Sequence, residues 1–259
     1  MKLKYLLAVL FIMVFTGCKG EKMVIKIDID ELKDISQEEW DKLAEKDIFF
    51  GHQSVGNNII DGINDILSEV PGIRAPVFAH AGIGQNKDPF SKIDHFKDMI
   101  DNGLGDKVNI AFFKFCYVDI TEETDINNVF DHYKTTMDDL GSRYPDVKFL
   151  HCTVPLMTMQ SGLKAKIKRV LGKSLWGEKD NIKRNMYNRM LIEEYNSTDK
   201  LFDLADYEST YPDGTKNIFK KGSSDYRTLI QAYTDDGGHL NKLGRKAIAK
   251  QLLLFLKKQ

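Results

Sequence analysis

A serine in a turn of small residues is the first residue of this chain that could carry out chemistry. Residues 47–50 form a short apolar run that predicts a buried strand, and isoleucine and leucine recur at helical spacing over residues 59–70. Ser54 lies in the turn between them. In such a turn the serine hydroxyl projects beyond the edge of the sheet, at the positive N-terminal end of the helix that follows. A serine is a weak nucleophile and needs a nearby base. Ser54 could instead simply cap the helix that begins beside it.

A candidate base lies far downstream, in the Asp-Asp-Gly-Gly-His-Leu-Asn run at 235–241. Asp236 precedes His239 with two glycines between them, so the carboxylate can fold back toward the imidazole. It would then fix the tautomer and stabilise the imidazolium that forms. Acyl transfer also needs donors for an oxyanion. Gly82 or Gly84 can bring a backbone amide close to a substrate oxygen, because no side chain blocks the approach.

Other titratable residues are weaker candidates. His52 and Gln53 flank Ser54 and could bind substrate, and His52 could serve as an alternative base. His151 lies inside an apolar run and is expected to be a core residue with satisfied hydrogen bonds. The histidines lack metal-ligand spacing, and the sequence has none of the glycine-rich nucleotide motifs. We therefore expect neither a metal nor another cofactor.

Length and composition favour one large globular domain. The chain has 259 residues, of which 42% are hydrophobic and 29% charged. Its formal net charge of −1 gives no basic excess that would suggest nucleic acid as a partner. Cys116 and Cys152 each lie in an apolar run, where a cysteine behaves as a small hydrophobe. We expect both to be buried and free.

The first seventeen residues differ from the rest. Lys2 and Lys4 precede an apolar stretch over 6–15, and Cys18 follows a small residue. This pattern predicts a secretory signal peptide, and its end resembles the lipobox of bacterial lipoproteins, although Phe15 replaces the usual leucine. The resemblance implies lipidation of Cys18 and anchoring in the cell envelope. A plain signal peptide or a short anchor helix are the alternatives. The predicted division is a signal peptide at 1–17, a tether at 18–34 and a single domain at 35–259.

Strand and helix patterns alternate five times along the domain. The predicted strands are 47–50, 74–80, 108–115, 147–154 and 201–204. Such alternation predicts an α/β fold with a parallel sheet covered by helices on both faces. We expect the strand order 2-1-3-4-5, with ligands beyond the carboxyl ends of the strands. Ser54, Gly82, Gly84 and the Tyr117–Asp119 segment all fall there.

The serine after the first strand, the glycine turn after the second and Asp-x-x-His before the last helix resemble the SGNH (GDSL-type) serine hydrolases. The resemblance covers about residues 47–257. It implies a flavodoxin-like three-layer α/β/α sandwich with a five-stranded parallel sheet. It also implies that Ser54 is the nucleophile, His239 the base and Asp236 the orienting acid. The amides of Ser54 and of Gly82 or Gly84 would be the oxyanion donors.

Two blocks depart from the family pattern. The family usually has Gly-Asp-Ser where this chain has His52, Gln53 and Ser54. It also has Gly-x-Asn-Asp after the third strand, where this chain has Phe-Cys-Tyr-Val-Asp at 115–119 and no asparagine. Asp119 could match the aspartate of that block, and Tyr117 could donate in place of the asparagine.

The sequence therefore predicts a serine esterase that acts on small acyl esters, with acetyl groups on carbohydrate as the implied substrate. An O-acyltransferase with the same triad and a non-catalytic glycan- or partner-binding lipoprotein are the alternatives. The expected partners are an acyl ester or an acylated glycan, with membrane contact only through the N-terminal lipid, and the chain is expected to be a monomer. The basic stretch 156–179 and the loop-like stretch 205–235 could wall a cleft. The basic stretch could also be a solvated helix face.

Overall fold

The computed structural model describes residues 25–70, 72, 74 and 76–259. The predicted signal peptide and Cys18 lie outside the described residues. Within the described part, no helix is both long enough and apolar enough to cross a bilayer. The helices are α1 Asp30–Lys33, α2 Gln37–Ala44, α3 Val55–Glu69, α4 Pro89–Met99, α5 Ile126–Arg143, α6 Gly162–Val170, α7 Glu178–Tyr195, α8 Leu204–Ser209 and α9 Lys242–Leu256. The strands are β1 Ile48–His52, β2 Phe78–Gly82, β3 Ile110–Phe113, β4 Lys148–Phe149, β5 His151–Cys152, β6 Leu201–Phe202, β7 Ile218–Lys221 and β8 Ser224–Arg227.

The central sheet is parallel and has the predicted order. Strands β2, β1, β3 and β4 are neighbours in that sequence, and β5 pairs in parallel with β6. The predicted fourth strand is interrupted at Leu150, because residues before it pair with β3 and residues after it pair with β6. With β4 and β5 taken as one interrupted strand, the order 2-1-3-4-5 is confirmed. It is the flavodoxin-like order.

Helices cover both faces of the sheet. Alternating strand residues point to opposite sides, so Ile48 and Phe50 enter one core while Phe49 enters the other. The first core is closed by α3 and α9, and the second by α4, α5 and α7. A central strand buried on both faces must be apolar throughout, and all four residues of β3 are buried. The result is a three-layer α/β/α sandwich.

The closest helix pair on the first face is α3 with α9. A Cβ atom added at Gly62 would lie 2.3 Å from the carbonyl oxygen of Arg245. Only glycine allows this approach. The Arg245 guanidinium also forms a two-pronged ion pair with Asp65, at 2.7 Å from Nε to Oδ2 and 3.1 Å from Nη2 to Oδ1. The two helices are therefore held in one fixed register.

Several boundaries differ from the predictions. Residues 25–34, the described part of the predicted tether, pack against the domain, since Leu32 is fully buried and Ile29 is 7% exposed. The second strand begins later than predicted, at Phe78. The stretch 205–235, expected to be loop-like, contains most of α8 and the antiparallel hairpin β7–β8.

The two cysteines behave as predicted, and a capping box begins α2. Cys116 and Cys152 are both free and buried. Ser36 caps α2, accepting from the Glu39 amide while the Glu39 carboxylate accepts from the Ser36 amide. His151 is buried and bonded to the hydroxyl of Tyr133 at 2.8 Å, as expected of a satisfied core histidine.

Candidate active site

Ser54 sits at the N-terminus of α3 in a strained conformation. Its φ is 55° and its ψ is −111°, a region that residues with a Cβ atom rarely occupy and that costs energy to hold. Its side chain makes no capping bond to the helix. Instead, Ser54 Oγ lies 2.6 Å from Nε2 of His239. The interpretation of Ser54 as a simple helix cap is therefore wrong.

The other ring nitrogen of His239 faces Asp236. Nδ1 lies 2.6 Å from Asp236 Oδ2, and a carboxylate accepts there only if Nδ1 carries the proton. This places the lone pair of a neutral imidazole on Nε2, where it accepts the Ser54 hydroxyl. The hydrogen bonds thus run from serine to histidine to aspartate.

The second oxygen of Asp236 is held by the backbone. Oδ1 accepts from the amides of Gly238 at 2.9 Å and His239 at 2.8 Å. Partial burial raises the pKa of Asp236. The two amides and the His239 imidazole together lower it by more, so the pKa of Asp236 is well below the usual range. The carboxylate is therefore charged and fixed in orientation.

Side chains that the sequence analysis did not identify hold this loop in place. Thr234 Oγ1 accepts from the Gly237 amide at 2.9 Å and donates to Asp236 Oδ1 at 3.2 Å. Thr234 is only two residues from Asp236, a spacing typical of a hydroxyl-stabilised turn. That spacing could have identified Thr234 from the sequence.

Two further contacts come from distant parts of the chain. The Thr158 amide donates to the carbonyl of Gly237 at 2.8 Å, and Asn58 Oδ1 on α3 accepts from the Leu240 amide at 3.1 Å. The Asn58 contact ties the loop of His239 directly to the helix that begins at Ser54. Nothing local in the sequence marks either residue.

Tyr117 forms a wall beside the histidine. Its ring meets the His239 ring nearly edge-on, with centroids 5.7 Å apart. A Cβ atom at Gly238 would lie 2.8 Å from Tyr117 Cζ, so a larger residue there would displace the Tyr117 ring. Burial, then the charge of Asp236, raises the pKa of Tyr117. The phenol therefore stays protonated at neutral pH, but its contacts are those of a packing residue that limits the motion of His239.

Gly84 is not placed to donate to an oxyanion. Its amide already donates to Nδ1 of His95 at 2.9 Å. Its φ is 54°, and a Cβ atom there would lie 2.6 Å from the Lys92 amide. Gly84 is thus required for the turn, and the prediction that its amide is an oxyanion donor is wrong. Gly82 ends β2 beside His52, and a Cβ atom there would meet only Gln53 Cγ and the His52 carbonyl oxygen, each at 3.9 Å. Its donor role stays a prediction.

The residues flanking the serine have structural contacts. Gln53 Nε2 donates to the carbonyl oxygens of Ile83 at 3.0 Å and Gly84 at 2.9 Å, fastening the loop after β2 to the turn that carries Ser54. His52 is 2% exposed and packs against Gly56, where a Cβ atom would lie 2.3 Å from the ring. Burial, with Lys114 and His80, lowers the pKa of His52 to about 3. A ring this hard to protonate is a poor general base.

Asp119, which falls in the segment expected to face substrate, is buried away from solvent. Its carboxylate forms an ion pair with Lys92 at 2.7 Å, and both side chains are 0% exposed. It also accepts from the amides of Cys116 at 2.6 Å and Lys87 at 2.8 Å. The expectation is wrong because the buried carboxylate is bonded to Lys92 on α4 and to the loops after β2 and β3, which leaves it turned away from any ligand in solution.

The assembled site is open. The side chain of His239 is 44% exposed and that of Asp236 is 56% exposed, while Ser54 is half-buried. In the part of the chain that the structure describes, no group of three or more histidine, cysteine or acidic residues could hold a metal ion. The geometry suits a serine nucleophile activated by histidine, with access for a bulky molecule.

Comparison with known protein families finds no match, and no curated protein matches the chain. Among the solved structures similar to this chain are three that cover most of its length. One is described as a proposed platelet activating factor from Streptococcus pneumonia, 16% identical over 85% of this chain and 90% of that one, with a TM-score of 0.48. The second is a proposed lipolytic protein of the G-D-S-L family from Desulfitobacterium hafniense DCB-2, 11% identical over 82% and 99%, with a TM-score of 0.45. The third is the periplasmic domain of a lipopolysaccharide acetyltransferase from Salmonella ser. Paratyphi A, 13% identical over 81% and 83%, with a TM-score of 0.48. The activity of this chain therefore has to be inferred from its own residues.

Proposed function

We propose that the chain is a serine ester hydrolase of the cell envelope that removes small acyl groups, with acetyl esters of carbohydrate as its substrate class. The observation that carries this proposal is the continuous chain of hydrogen bonds among three side chains. Ser54 Oγ is 2.6 Å from His239 Nε2, and His239 Nδ1 is 2.6 Å from Asp236 Oδ2. Each distance is within the reach that proton transfer requires.

In the proposed reaction, Ser54 Oγ attacks the acyl carbon while its proton passes to Nε2 of His239. The imidazolium, stabilised by Asp236, then gives that proton to the departing alkoxide, which leaves as the alcohol. Water attacks the acyl-serine in the same way and releases the carboxylic acid. We assign stabilisation of the oxyanion to the Ser54 amide, which lies at the positive end of α3, and to the Gly82 amide.

The openness of the site supports a substrate whose acyl group is carried on a larger molecule. The exposed side chains of His239 and Asp236 leave room for a sugar chain on the alcohol side. The resemblance of the N-terminal segment to a lipoprotein signal supports a lipid-anchored location. In the proposed form, Cys18 carries the lipid.

Two alternatives have specific support. An O-acyltransferase would use the same triad, and the open site could admit an acceptor hydroxyl in place of water. A non-catalytic glycan-binding protein is favoured by the incomplete oxyanion hole, since the block 115–119 after β3 contains no asparagine and the Gly84 amide is bonded to His95. The intact, strained serine favours an enzyme, because backbone strain has to be maintained by the surrounding structure.

The experiment is to assay the protein with an aryl acetate and with acetylated oligosaccharides, beside the Ser54→Ala variant. Release of acetate that is lost in the variant supports the hydrolase. Appearance of the acetyl group on an added acceptor sugar, with little free acetate, supports the transferase. Binding of the oligosaccharide without turnover of any ester supports the non-catalytic alternative and contradicts the enzyme.

A further inference from the structure

Helix α6 turns its apolar side toward solvent. Four large apolar residues of this helix and of the turn that follows it are exposed: Leu163 (74%), Ile167 (51%), Val170 (87%) and Leu171 (63%). Their spacing of i, i+4, i+7 and i+8 places them in one stripe along the helix. Ala165, outside this stripe, is 4% exposed and faces the protein. A surface helix normally buries such a stripe, so this one lacks the covering that its pattern predicts.

A tryptophan that follows α6 in the chain lies beside the catalytic loop. Trp176 is 54% exposed, and a Cβ atom added at Gly237 would lie 3.6 Å from its ring. Gly237 is adjacent to Asp236. We call Leu163, Ile167, Val170, Leu171 and Trp176 the α6 face. Within the described residues, it holds five of the eight exposed large hydrophobic side chains, so the exposure is concentrated in one short segment of the chain.

The same segment is strongly basic. Residues 156–177 contain no aspartate or glutamate, whereas the whole chain has a formal net charge of −1. The basic residues of this segment are Lys164, Lys166, Lys168, Arg169 and Lys173. An amphipathic helix that combines an exposed apolar stripe, a neighbouring tryptophan and clustered lysines has the composition of helices that lie in the surface of a bilayer.

We propose that the α6 face docks onto the surface of a bilayer that contains anionic phospholipid. The apolar side chains would enter the boundary between headgroups and acyl chains, and Lys164, Lys168 and Lys173 would contact lipid phosphates. Charge complementarity selects this occupant over a second copy of the chain. Two α6 faces brought together would place two basic segments against each other, and like charges at an interface are unfavourable.

This contact goes beyond the expected attachment through the N-terminal lipid alone. Because Trp176 adjoins Gly237, docking sets the catalytic loop beside the lipid headgroups. Docking would then let Ser54 meet acyl esters that are presented at the bilayer surface. This last step, unlike the docking itself, rests on the proposed function.

The test uses the fluorescence of Trp176 in the full chain. The chain has two tryptophans, and the other, Trp40, is 2% exposed and buried in the core. The emission of Trp176 is therefore obtained as the difference between the wild type and Trp176→Phe. Vesicles of phosphatidylcholine, with and without phosphatidylglycerol, are added, and a parallel set carries brominated acyl chains as quenchers.

With phosphatidylglycerol present, we expect a blue shift of the Trp176 emission and quenching by the brominated lipid. The double variant Ile167→Glu/Val170→Glu should weaken the partition coefficient measured in this way by about tenfold or more. Ile218→Glu, an equally drastic change at an exposed isoleucine on β7, is the matched control and should keep the wild-type response.

Three results would overturn the proposal. Vesicle attachment with unchanged Trp176 emission would assign all membrane contact to the N-terminal segment. An equal response to vesicles without phosphatidylglycerol would remove the role of the basic residues. A blue shift that grows with protein concentration in the absence of vesicles would identify a second copy as the occupant. Hydrolysis of a soluble ester without vesicles tests the proposed function separately, so the two failures are distinguishable.

Discussion

Ser54 and His239 are 185 residues apart in the chain, yet Oγ of the serine lies 2.6 Å from Nε2 of the histidine. The contact is set by the packing of two helices, because Ser54 begins α3 and His239 lies just before α9. The bond from Leu240 to Asn58 connects the same two regions at 3.1 Å. Changes in the α3–α9 interface should therefore act on the active site from a distance.

Gly62→Ala should test this coupling. The new Cβ atom would lie 2.3 Å from the carbonyl oxygen of Arg245. This oxygen belongs to the backbone of α9, so it can move away only if the helix shifts. We expect a loss of about 1–3 kcal/mol in the free energy of unfolding in urea, with a fall in esterase kcat. Gly141→Ala is the control, since Gly141 is on α5 with nothing within 4 Å of its Cβ position. It should stabilise by about 0.5–1 kcal/mol. Equal effects of the two changes would contradict the coupling.

The identity of the general base is tested by His239→Ala beside His52→Gln. His239 contacts both Ser54 and Asp236, so its loss should lower kcat/KM for an aryl acetate by about 10²–10⁴. His52 is buried, and neither of its ring nitrogens has a hydrogen-bond partner among the described residues. His52→Gln should keep a readily measured fraction of the activity. The assignment would be reversed if His52→Gln were inactive and His239→Ala nearly normal.

The buried ion pair of Asp119 and Lys92 should matter for stability more than for chemistry. Asp119→Asn leaves the Lys92 ammonium without its charge partner, which typically costs about 3–5 kcal/mol for a buried pair. The double variant Asp119→Leu/Lys92→Met removes both charges and should lose less stability than Asp119→Asn in urea unfolding. A double variant that is as unstable as the single one would show that Asp119 acts through its bonds to backbone amides instead.

Glu208 should make stability depend on pH. Burial raises the pKa of this fully buried carboxyl to about 8, against its usual value of 4.5. Between those pH values, the folded chain keeps a proton that the unfolded chain has lost. The unfolded state then binds fewer protons, so the free energy of unfolding falls as pH rises, by up to about 1.4 kcal/mol per pH unit.

Glu208→Gln should remove this contribution. The measurement is urea unfolding of the wild type and the variant at several pH values from 5 to 8, and the buried histidines cancel in the difference. We expect the stability of the wild type to fall relative to the variant across this range. Parallel pH profiles would show that Glu208 has an ordinary pKa in the folded chain.

Much of the fold follows from local patterns. The order of the parallel strands could be predicted, because apolar runs and helical spacing reflect which residues are buried. The capping box at Ser36 and Glu39 also follows from a short sequence pattern. The interruption at Leu150 could not be predicted, because it reflects a change of pairing partner from β3 to β6. No residue type within the run marks that change.

Contacts within the site could be predicted from the sequence only where the two residues lie in the same short segment. Asp236 and His239 lie on one loop, so their contact is local. The roles of Gly84 and Asp119 depend on His95 and Lys92, which reach them from α4. The outward orientation of the α6 face is also a tertiary property. Its periodicity alone predicts a buried stripe.

Labelling with a fluorophosphonate probe distinguishes an activated Ser54 from an ordinary serine, because the probe forms a covalent bond only with a serine activated by a base. We expect that the wild type is labelled on the peptide that contains Ser54, that Ser54→Ala is not labelled, and that His239→Ala is labelled far more slowly. Absence of labelling in a folded wild-type protein, or equal labelling of Ser54→Ala, would contradict the assignment of Ser54 as an activated nucleophile.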